Sequence, residues 1–330
     1  MRIGVVGAGA WGTAFSMHLA RKGIQVMLWA YEPELFQILK RTGENSSYLP
    51  GFSLPPQISF TDSLDDVAGF SDTIVLATPS FALRETARRI SSALASRNIL
   101  VLTKGLERET LKTMSDVTAE IAGNRAPIAA LSGPSFAKEV AAGVFTSVVI
   151  ASHDRELASS LQQMIHSDDF RVYATDDVAG VELGGAMKNV MAIGAGIIEG
   201  LNLGTNTIAA FVTRGLAEIK RLGKACGAKE TTFLGLSGVG DLILTCFGAL
   251  SRNRQFGLAL SGGRKAADII RSQAQVVEGY YTIHAVRLLS ARLGIGMPIS
   301  EELYRIVYED KDLLKSINDI KRREFKEEDI

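Results

Sequence analysis

The hexapeptide Gly7-Ala8-Gly9-Ala10-Trp11-Gly12 constrains this chain more than any other feature. It follows an apolar run at residues 3–6 and opens a helical stretch at residues 13–21, so three glycines stand where a buried strand turns into a helix. Gly7 permits a tight turn, Gly9 lets the backbone approach a pyrophosphate, and Gly12 lets the helix pack against the strand. The helix start then offers free N–H groups and a positive dipole end to phosphate. A strand, turn and helix of this kind point to a bound dinucleotide.

The rest of the chain supplies the surrounding fold. Short β-rich runs at 3–6, 25–29, 73–77, 99–103, 128–131 and 144–151, with a last one at 171–175, alternate with helical stretches at 13–21, 33–40, 81–94 and 110–121. Alternation of this kind predicts βαβ units and a mostly parallel, doubly wound sheet of Rossmann type. After residue 177 strand patterns give way to long apolar-periodic segments at 178–201, 206–226, 255–260, 279–293 and 301–308. That part should be all α-helical. The reading is two domains, 1–177 for dinucleotide binding and 178–330 for substrate binding and catalysis, as a length of 330 residues suggests. No Pro/Ser-rich linker separates them, so a continuous helix and a large shared interface are expected. The mixed-charge run at 321–329 reads as a solvated helix end.

Charge narrows the partners. The chain carries 36 Lys and Arg against 36 Asp and Glu, which removes the general pull that polyanion and anionic-membrane binders show. No nucleic-acid partner is expected. A local cluster of cations stays possible under a zero total. Only Cys226 and Cys246 are present, and His18, His153, His166 and His284 are scattered, so neither a disulfide framework nor a metal site is indicated. These features suit a reducing, cytoplasmic compartment. Residues 3–20 carry no Lys, Arg, Asp or Glu and superficially resemble a signal peptide. Gly7, Gly9 and Gly12 interrupt them, and Arg21-Lys22-Gly23 leads straight into another apolar strand, which disfavours export. No other segment approaches the ~20 uninterrupted apolar residues of a membrane span.

Four further segments carry chemistry. Lys104, in Thr103-Lys104-Gly105-Leu106, stands at the carboxyl end of a predicted strand, the edge that faces ligands in open α/β sheets. Ser132-Gly133-Pro134-Ser135-Phe136-Ala137 is again strand-to-helix, with Pro134 expected near the first helical turn; it presents N–H groups and a hydroxyl to an oxyanion, or is an ordinary helix cap. Lys188 is the single charge between residues 183 and 198, inside a helix apolar enough to be buried all round. Burial pulls a lysine toward the range useful for proton transfer; the blander reading has Lys188 snorkelling out or pairing with Glu182. Finally, Gly238-Val239-Gly240-Asp241 places an acid in a glycine-rich turn. Ser251-Arg252-Asn253-Arg254 reads as a loop whose Arg–Asn pair can clamp phosphate.

Taken in order, these motifs closely resemble the bacterial NAD(P)-dependent glycerol-3-phosphate dehydrogenases, and with Val276-Val277-Glu278-Gly279 the resemblance spans nearly the whole chain. It implies a second domain of the 6-phosphogluconate dehydrogenase C-terminal type. The implied reaction is reversible hydride transfer between dihydroxyacetone phosphate and sn-glycerol 3-phosphate, supplying glycerophospholipid synthesis. It places the catalytic proton donor and acceptor on Lys188. Substrate contacts fall on Lys104, Gly133, Ser135, Lys188, Asp241, Ser251, Arg252 and Asn253. Cofactor contacts fall on Gly7, Gly9, Ala10, Trp11, Gly12, Tyr31, Lys104, Ala137, Arg252, Val276 and Glu278. Tyr31 departs from the pattern, since family members often carry a basic or imidazole side chain near there. A homodimer is also expected.

Cofactor selectivity stays open, NAD or NADP. NAD sites usually hold the ribose hydroxyls with an acid at the end of the second strand. That strand ends Leu28-Trp29-Ala30, and Glu32 lies 20 residues beyond Gly12, where it serves only if the turn brings it back. No Arg stands nearby to grip a 2′-phosphate. Two rivals remain: a related β-hydroxyacid dehydrogenase, and a non-catalytic NAD(H)-sensing protein.

Overall fold

The computed structural model describes residues 1–123, 126–272 and 275–321; the charged run beyond Lys321 lies outside them. The first half alternates strand and helix. It runs β1 (Arg2–Val6), α1 (Ala10–Arg21), β2 (Gln25–Trp29), α2 (Pro33–Thr42), β3 (Ile58–Thr61), α3 (Leu64–Phe70) and β4 (Thr73–Leu76). It continues through α4 (Ser80–Arg89), α5 (Ser91–Leu94), β5 (Asn98–Val101), α6 (Met114–Ala122) and β6 (Ile128–Ser132). It closes with α7 (Ala137–Ala141), β7 (Thr146–Ala151), α8 (Arg155–Ile165) and β8 (Phe170–Thr175).

These strands form one sheet in the order β3-β2-β1-β4-β5-β6-β7-β8. All neighbours are parallel except β6 and β7. Alternation along the strands splits the core in two. Ile3, Val5, Val75 and Leu100 join α1, α2 and α8 on one face; Val6, Ile74, Leu76, Ile99 and Val101 join α3, α4 and α6 on the other. That is the doubly wound arrangement. Its order reverses between β1 and β4, and ligands of open sheets bind outside the carboxyl ends at such a switch.

Several expectations are refined. The sequence patterns indicate no strand at β3 and no helix at α3 or α8. β3 is four residues long and follows Pro55-Pro56, too short for a periodicity to register. The helix expected at 81–94 breaks at Ile90, whose φ and ψ of −121° and 26° leave the helical region. The one expected from 110 begins at Met114, because Leu111 adopts a left-handed φ of 65° and Thr113 caps the helix by accepting from the Asp116 N–H.

The chain divides into two compact units. The first comprises Met1–Lys104 and Lys112–Glu182; the second comprises Gly105–Leu111 and the chain from Leu183 onward. Helix α9 (Val178–Gly200) starts in the first and runs on in the second. After it come α10 (Thr205–Ala225), α11 (Asp241–Phe247), α12 (Arg252–Ser261), α13 (Ala266–Ser272), α14 (Glu278–Leu293), α15 (Pro298–Tyr308) and α16 (Leu313–Lys321). The second unit holds no strand among the described residues.

By length and composition alone α9 could cross a membrane, although Gly184, Gly185, Lys188, Gly194 and Gly196 interrupt its apolar run. Its most apolar stretch is entirely buried in protein, so a core helix accounts for it. Contacts between backbones explain its glycines. A Cβ on Gly184 would stand 2.4 Å from the Ser237 carbonyl, and one on Gly196 would stand 2.0 Å from the Arg254 carbonyl. Helix α9 therefore packs directly on the turn before α11 and on α12.

Candidate active site

In the first unit, the glycine turn lies at the switch point. Gly7 has a φ of 124°, open to glycine, and a Cβ there would meet the Ala77 carbonyl, just past β4, at 2.7 Å. A Cβ on Gly12 would sit 2.0 Å from the Gly7 carbonyl, so α1 can start here only with glycine at that position. Gly9 is different: nothing lies within 4 Å of where its Cβ would point. It caps α1 without any side-chain bond, leaving first-turn N–H groups of Ala10 and Trp11 to whatever approaches. The buried Trp11 indole N–H has no partner. A buried donor without an acceptor is uncommon in a folded chain. Open space over Gly9, uncapped amides and an orphaned donor together fit the pyrophosphate of a dinucleotide.

Around this turn, Tyr31 follows β2, is 72 % exposed, and stands edge-on to Trp29 with ring centroids 5.9 Å apart. Lys104 follows β5 and donates from Nζ to the Gly133 carbonyl at 3.2 Å, tying the ends of β5 and β6. Gly133 has a φ of 137°, and the Ser135 hydroxyl donates back to its carbonyl at 3.0 Å. Pro134 is not in a helical turn, contrary to expectation: α7 begins only at Ala137, with Phe136 as its cap. Lys104, Gly133, Ser135 and Ala137 thus belong to one corner at the carboxyl edge.

In the second unit, Lys188 and Asp241 come together. Lys188 Nζ stands 2.5 Å from Asp241 Oδ1, and the two side chains are 11 % and 0 % exposed. Asp241 does not occupy the loop its sequence suggests; it is the first residue of α11, where the helix dipole favours an anion. The Thr245 hydroxyl braces that turn by donating to the Asp241 carbonyl at 2.6 Å. Cys246 lies next to this pair, and burial pushes its thiol up to about 12, too high for a nucleophile. Glu182, the alternative partner, is elsewhere occupied: its Oε1 accepts the Ser115 N–H at 2.9 Å.

Ser251, Arg252 and Asn253 also leave the loop predicted for them. Ser251 is the cap of α12 and accepts the Arg254 N–H, while Arg252 and Asn253 form the first helical turn. Asn253 works in two directions, donating to Asn189 Oδ1 at 2.8 Å and accepting the Gly279 N–H at 2.9 Å. That couples α9, α12 and the start of α14, where Glu278 and Val276 stand. Arg252 keeps an exposed side while the protein packed around it disfavours its charge, and the Glu278 carboxylate favours it. Asn189 escaped the sequence reading as a site residue. Its signal was present, an amide beside Lys188 in an otherwise apolar run. No group of three or more His, Cys, Asp or Glu able to hold a metal exists among the described residues.

Within the first unit the structure gathers Lys104, Gly133 and Ser135. Within the second it gathers Lys188 with Asp241, and Asn253 with the start of α14. Comparison with known proteins agrees with this chemistry. The family described as NAD-dependent glycerol-3-phosphate dehydrogenase N-terminus matches residues 2–158, and the corresponding C-terminus family matches residues 177–318. A Geobacter sulfurreducens protein named glycerol-3-phosphate dehydrogenase [NAD(P)+] is 46% identical over 330 residues, covering 99% of this chain and 98% of that one. A Moorella thermoacetica protein of the same name is 47% identical over 310 residues, covering 94% and 92%. Among solved structures, the glycerol-3-phosphate dehydrogenase of Coxiella burnetii superposes with a TM-score of 0.94 at 39% identity, covering 98% of this chain and 99% of that one.

Proposed function

This chain belongs to the NAD-dependent glycerol-3-phosphate dehydrogenase family and is an NAD(P)-dependent oxidoreductase of dihydroxyacetone phosphate, and on that premise we propose that Lys188 moves the proton in its reaction. The nicotinamide, when bound, supplies or accepts the hydride at carbon 2. In the reductive direction the Lys188 ammonium gives one proton to the carbonyl oxygen as carbon 2 becomes a secondary alcohol, and is left as the amine. In oxidation the amine takes that proton back. The observation that carries this reading is the buried Lys188–Asp241 ion pair, with Lys188 in a stretch of α9, residues 183–198, that holds no other charge. A buried charge is costly unless paired, so Asp241 holds the ammonium where an apolar side chain would serve stability as well.

Other residues have supporting roles. Arg252, with Ser251 and Asn253, is assigned the phosphate of the substrate; a helix start carrying a guanidinium suits a dianion. Lys104, Gly133 and Ser135 are assigned to the same substrate on the strength of their motifs, Lys104 polarising the carbonyl. Gly7, Gly9, Ala10, Trp11 and Gly12 are assigned the pyrophosphate side of the dinucleotide, and Tyr31, Lys104, Ala137, Arg252, Val276 and Glu278 its remaining contacts. The glycine turn assigned to the pyrophosphate then belongs to the first unit, and the Lys188–Asp241 pair assigned to proton transfer belongs to the second. Operation as a cytoplasmic homodimer feeding glycerophospholipid synthesis rests on the family resemblance.

Substitution Lys188→Ala tests the central claim. Removing a general acid–base should cut kcat by about 100-fold or more, while calorimetry should find NADH or NADPH binding within a few-fold of the unaltered chain. Turnover within tenfold of that of the unaltered chain overturns the assignment. Arg252→Ala should chiefly raise the KM for dihydroxyacetone phosphate; an effect confined to kcat refutes the clamp.

A further inference from the structure

The dinucleotide reading leaves one choice open, NAD or NADP, and the carboxyl ends of β2 and β3 bear on it. Glu32 is the residue before α2 and is half-buried. The turn after β2 fixes it, because the Ala30 N–H donates to the Thr61 carbonyl at the end of β3. The Tyr48 hydroxyl then donates to Glu32 Oε1 at 2.8 Å, so one carboxylate oxygen is held and the other is left to a ligand. Burial, with the Glu32 bond and charge, pushes the Tyr48 phenol up to about 12, and it remains a donor across the whole working pH range.

The surroundings are acidic. From residue 23 to residue 83 the only cations are Lys40 and Arg41, against Glu32, Glu34, Glu44, Asp62, Asp65, Asp66 and Asp72. Lys40 and Arg41 sit in the last turn of α2, about 12 Å along the axis from Glu32 at 1.5 Å per residue. The next cation, Arg84, is paired with Glu120 at 2.7 Å. Asp62 directly follows β3 and Asp66 lies in the first turn of α3, the Asp62 carbonyl taking the Trp29 indole N–H and the Asp66 carboxylate taking the Thr61 hydroxyl.

We propose that Glu32, aimed by Tyr48, selects NAD(H) over NADP(H). A carboxylate at this strand end accepts from ribose hydroxyls, whereas a 2′-phosphate requires a cation there and meets repulsion instead. Glu32 is the specificity-determining residue and Tyr48 a positioning residue acting through it. The inference rests on the dinucleotide reading.

The test is isothermal titration of the full chain with NADH and with NADPH, alongside turnover of dihydroxyacetone phosphate with each. NADH should bind ~100-fold more tightly than NADPH, a difference of two factors of ten in the equilibrium constant. Glu32→Gln should weaken NADH and strengthen NADPH, closing most of that gap. Tyr48→Phe keeps the charge but loses the aim, so NADH should weaken several-fold with no gain for NADPH; a merely structural role would weaken both alike. Equal or tighter binding of NADPH by the unaltered chain, with turnover intact, overturns the selectivity and leaves the function standing. An unchanged ratio in Glu32→Gln overturns the role of Glu32. Binding of neither dinucleotide overturns the underlying reading as well.

Discussion

Glu182→Gln should stabilise this protein at neutral and alkaline pH and do progressively less for it as the pH falls. Glu182 is buried in the first turns of α9 and accepts the Ser115 N–H in the first turn of α6. Two effects compete there. The start of α6 favours an anion, yet burial dominates and the neighbouring Asp116 adds to it, raising the Glu182 carboxyl from 4.5 to about 7 despite the Thr113 and Ser115 bonds that act the other way. At about 1.4 kcal/mol per pH unit, that displacement corresponds to about 3 kcal/mol. The sign follows from proton counting. Between the two values the folded chain holds a proton that the unfolded chain releases, so stability is lost as pH rises from 4.5 through about 7. Glutamine keeps the acceptor for Ser115 and does not ionise. Urea unfolding of both proteins at about pH 5 and about pH 8.5 should show the gap between them widening by about 2–3 kcal/mol in favour of the variant. A gap that does not change with pH refutes the claim that Glu182 is held protonated by burial.

Two further outcomes are expected. His18, buried with its Nε2–H donating to the Ile165 carbonyl at 2.7 Å, is lowered from 6.5 to about 4, first by burial and then by Arg21 and Lys22. The unfolded chain therefore takes up a proton that the folded chain refuses, and stability falls as pH drops through that window; His18→Gln should remove about 3 kcal/mol of this acid sensitivity, and equal acid sensitivity in both proteins refutes it. Gly257→Ala would place a Cβ 2.1 Å from the Ile193 carbonyl, where α12 crosses α9. Overpacking of backbone against backbone should cost about 1–3 kcal/mol or more, and an unchanged Tm with full turnover would show that the crossing can relax.

The first turn of the fold was the most legible part of the chain. Three glycines at fixed spacing after an apolar run can form few structures, because each position is constrained by contacts within a dozen residues: the φ of Gly7, the approach at Gly9, the clash that any Cβ at Gly12 would make with the Gly7 carbonyl. The alternation of strands and helices, the switch to helices after residue 177 and the burial of α9 were legible for the same reason, since periodicity is a local property of the chain. Less visible were elements too short to show a period, such as β3, and helix starts decided by caps, as at Thr113 and Ser251.

What tertiary structure alone decided is which polar groups meet. Lys188 had candidate partners at several sequence distances, and it is the packing of α9 against the turn before α11 that gives it Asp241, 53 residues away, rather than Glu182, six away on the same helix. Helix geometry explains the rejection: six residues turn the side chain to another side, and α6 supplies Glu182 with an N–H there. Glu32 likewise reads as an acid of uncertain reach until Tyr48, 16 residues on, takes one of its oxygens. Local sequence determines conformation because the forces on φ and ψ are short in range. Charge pairing across a core is set by which helix faces approach, and that belongs to the folded chain as a whole.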